Sequence, residues 1–132
     1  MKKYICKAAL AVAVLITVVM AGSASDEKTY YKVVEKMGYR DVSTVPMEIQ
    51  EISIPQNFNK VYQKYNSLLN EGGYDLSAYR GKDCLRYTYE IPSINARANI
   101  LVYDGEIIGG DISGITLDGI MIPIKRSERY AT

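Results

Sequence analysis

The chain has 132 residues, with 16 lysines and arginines against 15 aspartates and glutamates, a formal net charge of +1, and neither histidine nor tryptophan. A near-neutral chain with scattered basic residues offers no electrostatic footprint for nucleic acid. Without histidine there is no Ser-His-Asp or Cys-His catalysis and no histidine-based zinc site, and two cysteines cannot build a four-cysteine one.

Lys2, Lys3 and Lys7 flank an apolar run from Ala8 to Met20, followed by the small residues Ala21, Gly22, Ser23, Ala24 and Ser25. This is the layout of a bacterial signal peptide, with cleavage expected near Ala24 or Ser25. If retained, the stretch Ala8 to Ala24 is close to the length of about 17 residues that spans a bilayer, and residues 1–25 become an N-terminal membrane anchor. Both readings place the body of the chain outside the cytoplasm, secreted or held at the outer face of the cytoplasmic membrane. Cys6 precedes the apolar run, so lipid anchoring is disfavoured. Loss of the three leader lysines would take the formal charge from +1 to −2. Residues 26–132 are then one domain, with Cys84 as its single cysteine, read as a small buried hydrophobe of a strand.

Asp26 to Met37 reads as a helix, with Tyr30, Val33, Val34 and Met37 on one face and Gly38 as its end. Met47 and Ile49 alternate, and Ile52 and Ile54 continue one position out of step, which predicts a strand ending at Pro55 with a bulge near Gln50 or Glu51. From Gln56 to Asn70 the residues Phe58, Val61, Tyr62, Tyr65, Leu68 and Leu69 form an apolar stripe, and Gly72-Gly73 supply a left-handed exit. Asp75 caps a short turn that returns Leu76 and Tyr79 to the core, and Arg80 to Asp83 form a turn.

The remainder reads as β. Leu85, Tyr87, Tyr89 and Ile91 alternate with Cys84, Arg86, Thr88 and Glu90, giving one covered and one wetter face. Arg97 to Tyr103 and Glu106 to Ser113 are joined by Asp104-Gly105, a type I′ hairpin signal, and a last strand runs from about Gly119 to Ile124. The fold class is α+β: an antiparallel sheet made of one early strand and a late four-strand meander, with the Gln56 helix packed across one face and a further helix at the N-terminus.

Special residues concentrate in Ile108-Gly109-Gly110-Asp111-Ile112-Ser113-Gly114 and Leu117-Asp118-Gly119. Gly109 and Gly110 allow a helix or loop to lie close to the sheet. Asp111 and Asp118 are candidates for a cation or small ligand, although two carboxylates supply only part of the roughly six to eight oxygens that calcium takes. Arg97 and Arg86 are expected to pair across the sheet with Asp111 or Glu90. The alternative is an anion or carboxylate pocket lined by Arg97 and tyrosines such as Tyr89. No cofactor and no metal centre are implied.

The run Ile54-Pro55, Phe58, Val61-Tyr62 and Tyr65-Asn66, then Tyr74 to Lys82, Arg86 to Tyr89, Arg97 to Tyr103, Ile108 to Ile112 and Leu117 to Gly119, resembles the bacterial family known as domain of unknown function 4830. The resemblance covers roughly residues 30–122 and implies a small exported or membrane-tethered protein without assigning an activity. Where the family pattern has a cysteine after Gly-Gly-Asp-Ile and Phe-Met-His-Gly after Leu-Asp-Gly, this chain has Ser113 and Ile120-Met121-Ile122-Pro123. Any role of that cysteine or histidine therefore does not carry over.

These features point to a non-catalytic cell-envelope module that binds an envelope protein or cell-wall component through a sheet face or edge strand. The abundance of tyrosine, which is favoured at interfaces, supports this expectation. The alternative is a small-ligand or cation-binding domain that uses Asp111 and Asp118. No nucleophile-base pair suggests a hydrolase.

Overall fold

A computed structural model describes residues 29–115 and 120–126. The chain order is α1 (Lys32–Glu35), β1 (Glu48–Ser53), α2 (Lys60–Glu71), a 3-10 turn (Leu76–Tyr79), β2 (Asp83–Ile91), a second 3-10 turn (Pro92–Ile94), β3 (Ala96–Tyr103), β4 (Glu106–Gly114) and β5 (Met121–Pro123). The five strands form one antiparallel sheet in the order β1-β2-β3-β4-β5. This is the α+β arrangement of an early strand and a late four-strand meander. Residues 26–28 of the expected first helix and Gly119 of the expected last strand lie outside the described residues, as do residues 1–25, the expected leader.

Cross-strand pairing divides the side chains into two faces. Cys84, Arg86, Thr88 and Glu90 share one face with Leu101, Asn99, Arg97, Gly109, Asp111 and Ser113. This is face A. Face B carries Tyr87, Tyr89, Ile91, Ala96, Ala98, Ile100 and Ile112.

The segment around α1 covers face B. Tyr30 meets Tyr87 edge-on with ring centroids 4.9 Å apart, Tyr31 lies 6.4 Å from Tyr89, and Val33 and Val34 are buried. The i, i+3, i+4 spacing therefore marks the buried side of this short helix. Tyr89 is fully buried, at 0 % exposure, in the core beneath it. That corrects the expectation of Tyr89 as a pocket-lining ligand group. Tyr30, Tyr74 and Tyr87 are buried as well, so tyrosines form the aromatic part of the core.

Helix α2 packs on face A. Asn59 caps it, its side chain accepting from the Tyr62 amide at 2.8 Å. Phe58, Tyr62, Tyr65 and Leu69 turn inward, whereas Val61, expected in the same stripe, is 74 % exposed. An inward stripe at positions 58, 62, 65 and 69 follows the 3.6-residue period, and Val61 falls off its edge. The left-handed residue after the helix is Gly73, with φ of 98°, while Gly72 keeps right-handed geometry. Leu69 descends onto Gly109, where a Cβ would sit 2.5 Å from Leu69 Cδ2. Only a glycine lets the helix come this close, as the sequence pattern indicates.

The expected bulge in β1 is absent, because Glu48 to Ser53 pair with Thr88 to Asp83 without a break. Ile49 faces B beside Tyr87 and Ile52 faces A beside Cys84. Helices cover both faces, so two isoleucines out of step are each buried in part and need no bulge to align them. The irregularity lies instead between β3 and β4, where Leu101 pairs with Gly109 and Val102 with Ile107, leaving Ile108 as the extra residue. Asp104 and Gly105 form the tight β3–β4 turn with φ of 53° and 81°, as a type I′ turn requires.

Candidate functional site

Helix α2 runs over the part of face A that holds Cys84, Leu101, Gly109 and Asp111, and part of that face beyond it stays open. The open part is a groove of about 300 Å³ lined by Glu48, Arg86, Thr88, Arg97, Asn99, Ser113, Gly114 and Ile115. Its floor is a ladder of hydrogen bonds through three adjacent strands. The Thr88 hydroxyl donates to Asn99 Oδ1 at 2.9 Å, Asn99 Nδ2 donates to Asp111 Oδ2 at 3.3 Å, and Ser113 Oγ donates to the same Asp111 oxygen. From α2, the Tyr65 hydroxyl donates to Asp111 Oδ1 at 2.6 Å.

The ladder follows from register. Thr88 opposes Asn99 and Asn99 opposes Asp111, so three polar side chains of alternating strands fall side by side on one face. Thr88 and Asp111 are the buried polar residues among those described, Asp111 at 3 % exposure. A buried carboxylate is tolerable where hydrogen bonds satisfy it, and Asp111 accepts three. Burial and then the neighbouring Asp111 charge push the Tyr65 phenol well above its ordinary pKa, so it remains a donor.

The arginines do not form the expected pairs with Asp111 or Glu90. Asp111 takes hydroxyl and amide protons instead, and Arg86 Nη2 donates to the neutral Gln50 Oε1 on β1. Arg86 Nε is buried with no hydrogen-bond partner among the described residues. Arg97 is exposed, opposite Glu90 and Ser113 in register, and lines the groove.

Of the sequence-expected site residues, the fold thus brings Arg97 and Asp111 to one place, Arg97 at the surface and Asp111 beneath the floor. Tyr89 lies on the opposite face, and Asp118 is outside the described residues. Among the described residues no group of three or more His, Cys, Asp or Glu side chains could hold a metal ion. Thr88, Asn99 and Ser113 were not among the candidates, although each stands at a polar position of an alternating strand.

A larger groove of about 460 Å³ at the other end of the sheet is lined by Tyr30, Glu51, Asp83, Tyr87, Tyr103 and Asp104, among others. Its three carboxylates are exposed, and it contains none of the expected site residues. The smaller groove has the organised polar floor and the incompletely partnered guanidinium, which makes it the better-built site.

Comparisons with protein-family models, curated proteins and solved structures return no match to this chain.

Proposed function

We propose that this chain is a non-catalytic binding module of the bacterial cell envelope, working outside the cytoplasm, and that its recognition surface is the open part of face A. The observation that carries this reading is the incomplete cover of that face, because α2 leaves a concave strip of ordered donors and acceptors on a rigid sheet. Sites built on strands hold side chains more exactly than sites on loops. The leader-like first 25 residues and the resemblance to small exported proteins support the location. Ile115 and Met121, both exposed, supply apolar contact near the polar strip. Binding rather than turnover suits a site whose central carboxylate, Asp111, is buried and engaged by three donors.

The test uses intact cells that make the full-length chain with a C-terminal tag, treated with a membrane-impermeant crosslinker. One stoichiometric envelope component should be captured by the wild type and by Asp104→Lys at the far end, and lost in Arg97→Glu. Capture that is equal in all three, or no reaction of the chain with the crosslinker, would overturn the proposal.

A further inference from the structure

We infer that the face A groove takes a peptide carboxylate, seated on Arg86 with Arg97 at the mouth. This rests on the binding-module reading above and names its ligand class. Arg86 is half-buried, its charge meets the neutral Gln50, and its Nε–H has no partner among the described residues. Leaving a buried donor of a charged group unsatisfied is costly, and a guanidinium whose charge is uncompensated favours an anion where its side chain lines the groove. Asp111 is not that anion, because its oxygens accept from Tyr65, Asn99 and Ser113 and not from Arg86.

A guanidinium fork matches a carboxylate in plane and spacing. The Thr88, Asn99 and Ser113 groups beside it suit the N–H and C=O groups of a peptide backbone. Carboxylates around the site limit the ligand's charge: Glu48 lines the groove, Glu90 stands opposite Arg97, and Asp111 lies below. A polyanion such as a nucleic acid or a polyphosphate would meet all three. A single carboxylate flanked by neutral groups meets a groove lined by two arginines.

The experiment is an NMR titration of the full-length chain that follows the arginine side-chain Nε–H signals. One arm adds acetyl-Ala-Ala with a free carboxyl terminus, and a second adds acetyl-Ala-Glu-Ala-amide. Controls are acetyl-Ala-Ala-amide, acetyl-Ala-Gln-Ala-amide and inorganic phosphate. At least one carboxylate peptide should shift the Arg86 and Arg97 signals and bind tenfold or more tightly than its amide counterpart. The arm that binds tells a chain terminus from an acidic side chain.

Arg97→Gln, an exposed change, should weaken binding several-fold. Arg86→Lys, which keeps the charge and loses the fork, should weaken it tenfold or more, with its circular dichroism melt confirming the fold. Equal binding of the amide peptides, equal binding of phosphate, or no shift of either arginine overturns the carboxylate assignment. If envelope capture still depends on Arg97 after such a result, the surface stands and only the ligand class is wrong.

Discussion

The Tyr65 hydroxyl donates to Asp111 Oδ1 at 2.6 Å and joins α2 to the polar floor of the sheet. The same carboxylate gathers Asn99 and Ser113, so a single charge organises one helix and two strands. Asp111→Asn would replace an acceptor-only group with an amide and set its N–H donors against existing donors. Hydrogen bonds to charged groups contribute about 1.5–3 kcal/mol each, without simple additivity. The substitution should lower stability by about 2–3 kcal/mol in urea unfolding, and Tyr65→Phe by a smaller amount. A double variant no worse than Asp111→Asn would establish that the two act through one contact.

The approach of α2 to the sheet rests on Gly109. Gly109→Ala should cost about 1–3 kcal/mol, the usual range for overpacking a close contact. Trimming the neighbour in a Gly109→Ala, Leu69→Val double variant should recover part of that loss. Thermal melts of the four-member cycle measure the coupling, and a fully additive result would count against direct contact.

Asp75 ties the end of α2 to the following 3-10 turn, because it accepts from Asn66 Nδ2 and from the Ser77 amide and hydroxyl. Those hydrogen bonds, Asn66 first, hold its carboxyl down at about 2, below the ordinary 3.8. A folded-state value lower than the unfolded one stabilises the fold fully above the unfolded pKa and is lost as pH falls through the folded one. The stability difference between the wild type and Asp75→Asn should therefore shrink between about pH 4 and pH 2. Denaturant midpoints at pH 6, 4, 3 and 2 would show it, and a constant difference would refute it.

Cys84 is buried on face A, and burial pushes its thiol up to about 11. It should react with a disulfide reagent at pH 8 only as the protein unfolds. Its folded-state value is raised, so its contribution to stability is present below the unfolded value and is lost as pH rises from about 9 through 11. Cys84→Ala should remove that part of the alkaline loss. Stopped-flow labelling in and out of denaturant, with Cys6 replaced by serine, tests the reactivity, and fast labelling of native Cys84 would contradict it.

Most of the architecture was legible because its signals are local. Period-two alternation located β2 to β4, Asp104-Gly105 located the tight hairpin, and an apolar stripe located α2. The bulge was misplaced because Ile49 and Ile52 look out of step only if one face is covered, and cover on both faces is a property of the tertiary structure. Tyr89 was misread for a related reason: alternation separates two faces without telling which helix lies over each. Arg97 and Asp111 drew attention as isolated polar residues in strands. The ladder that joins Asp111 to Thr88, Asn99 and Ser113 needs three-strand register, which no single segment carries.

Each strand of the sheet pairs with the one that follows it in the chain. Within the described part, β2, β3 and β4 are joined by short links, whereas β1 reaches β2 only after the whole segment containing α2. Closing a long loop costs chain entropy before any contact rewards it. The β2–β3–β4 unit can therefore form as an early scaffold, with β1 added once α2 has docked. Because Glu48 sits on β1, the groove of face A is complete only when this edge strand is in place.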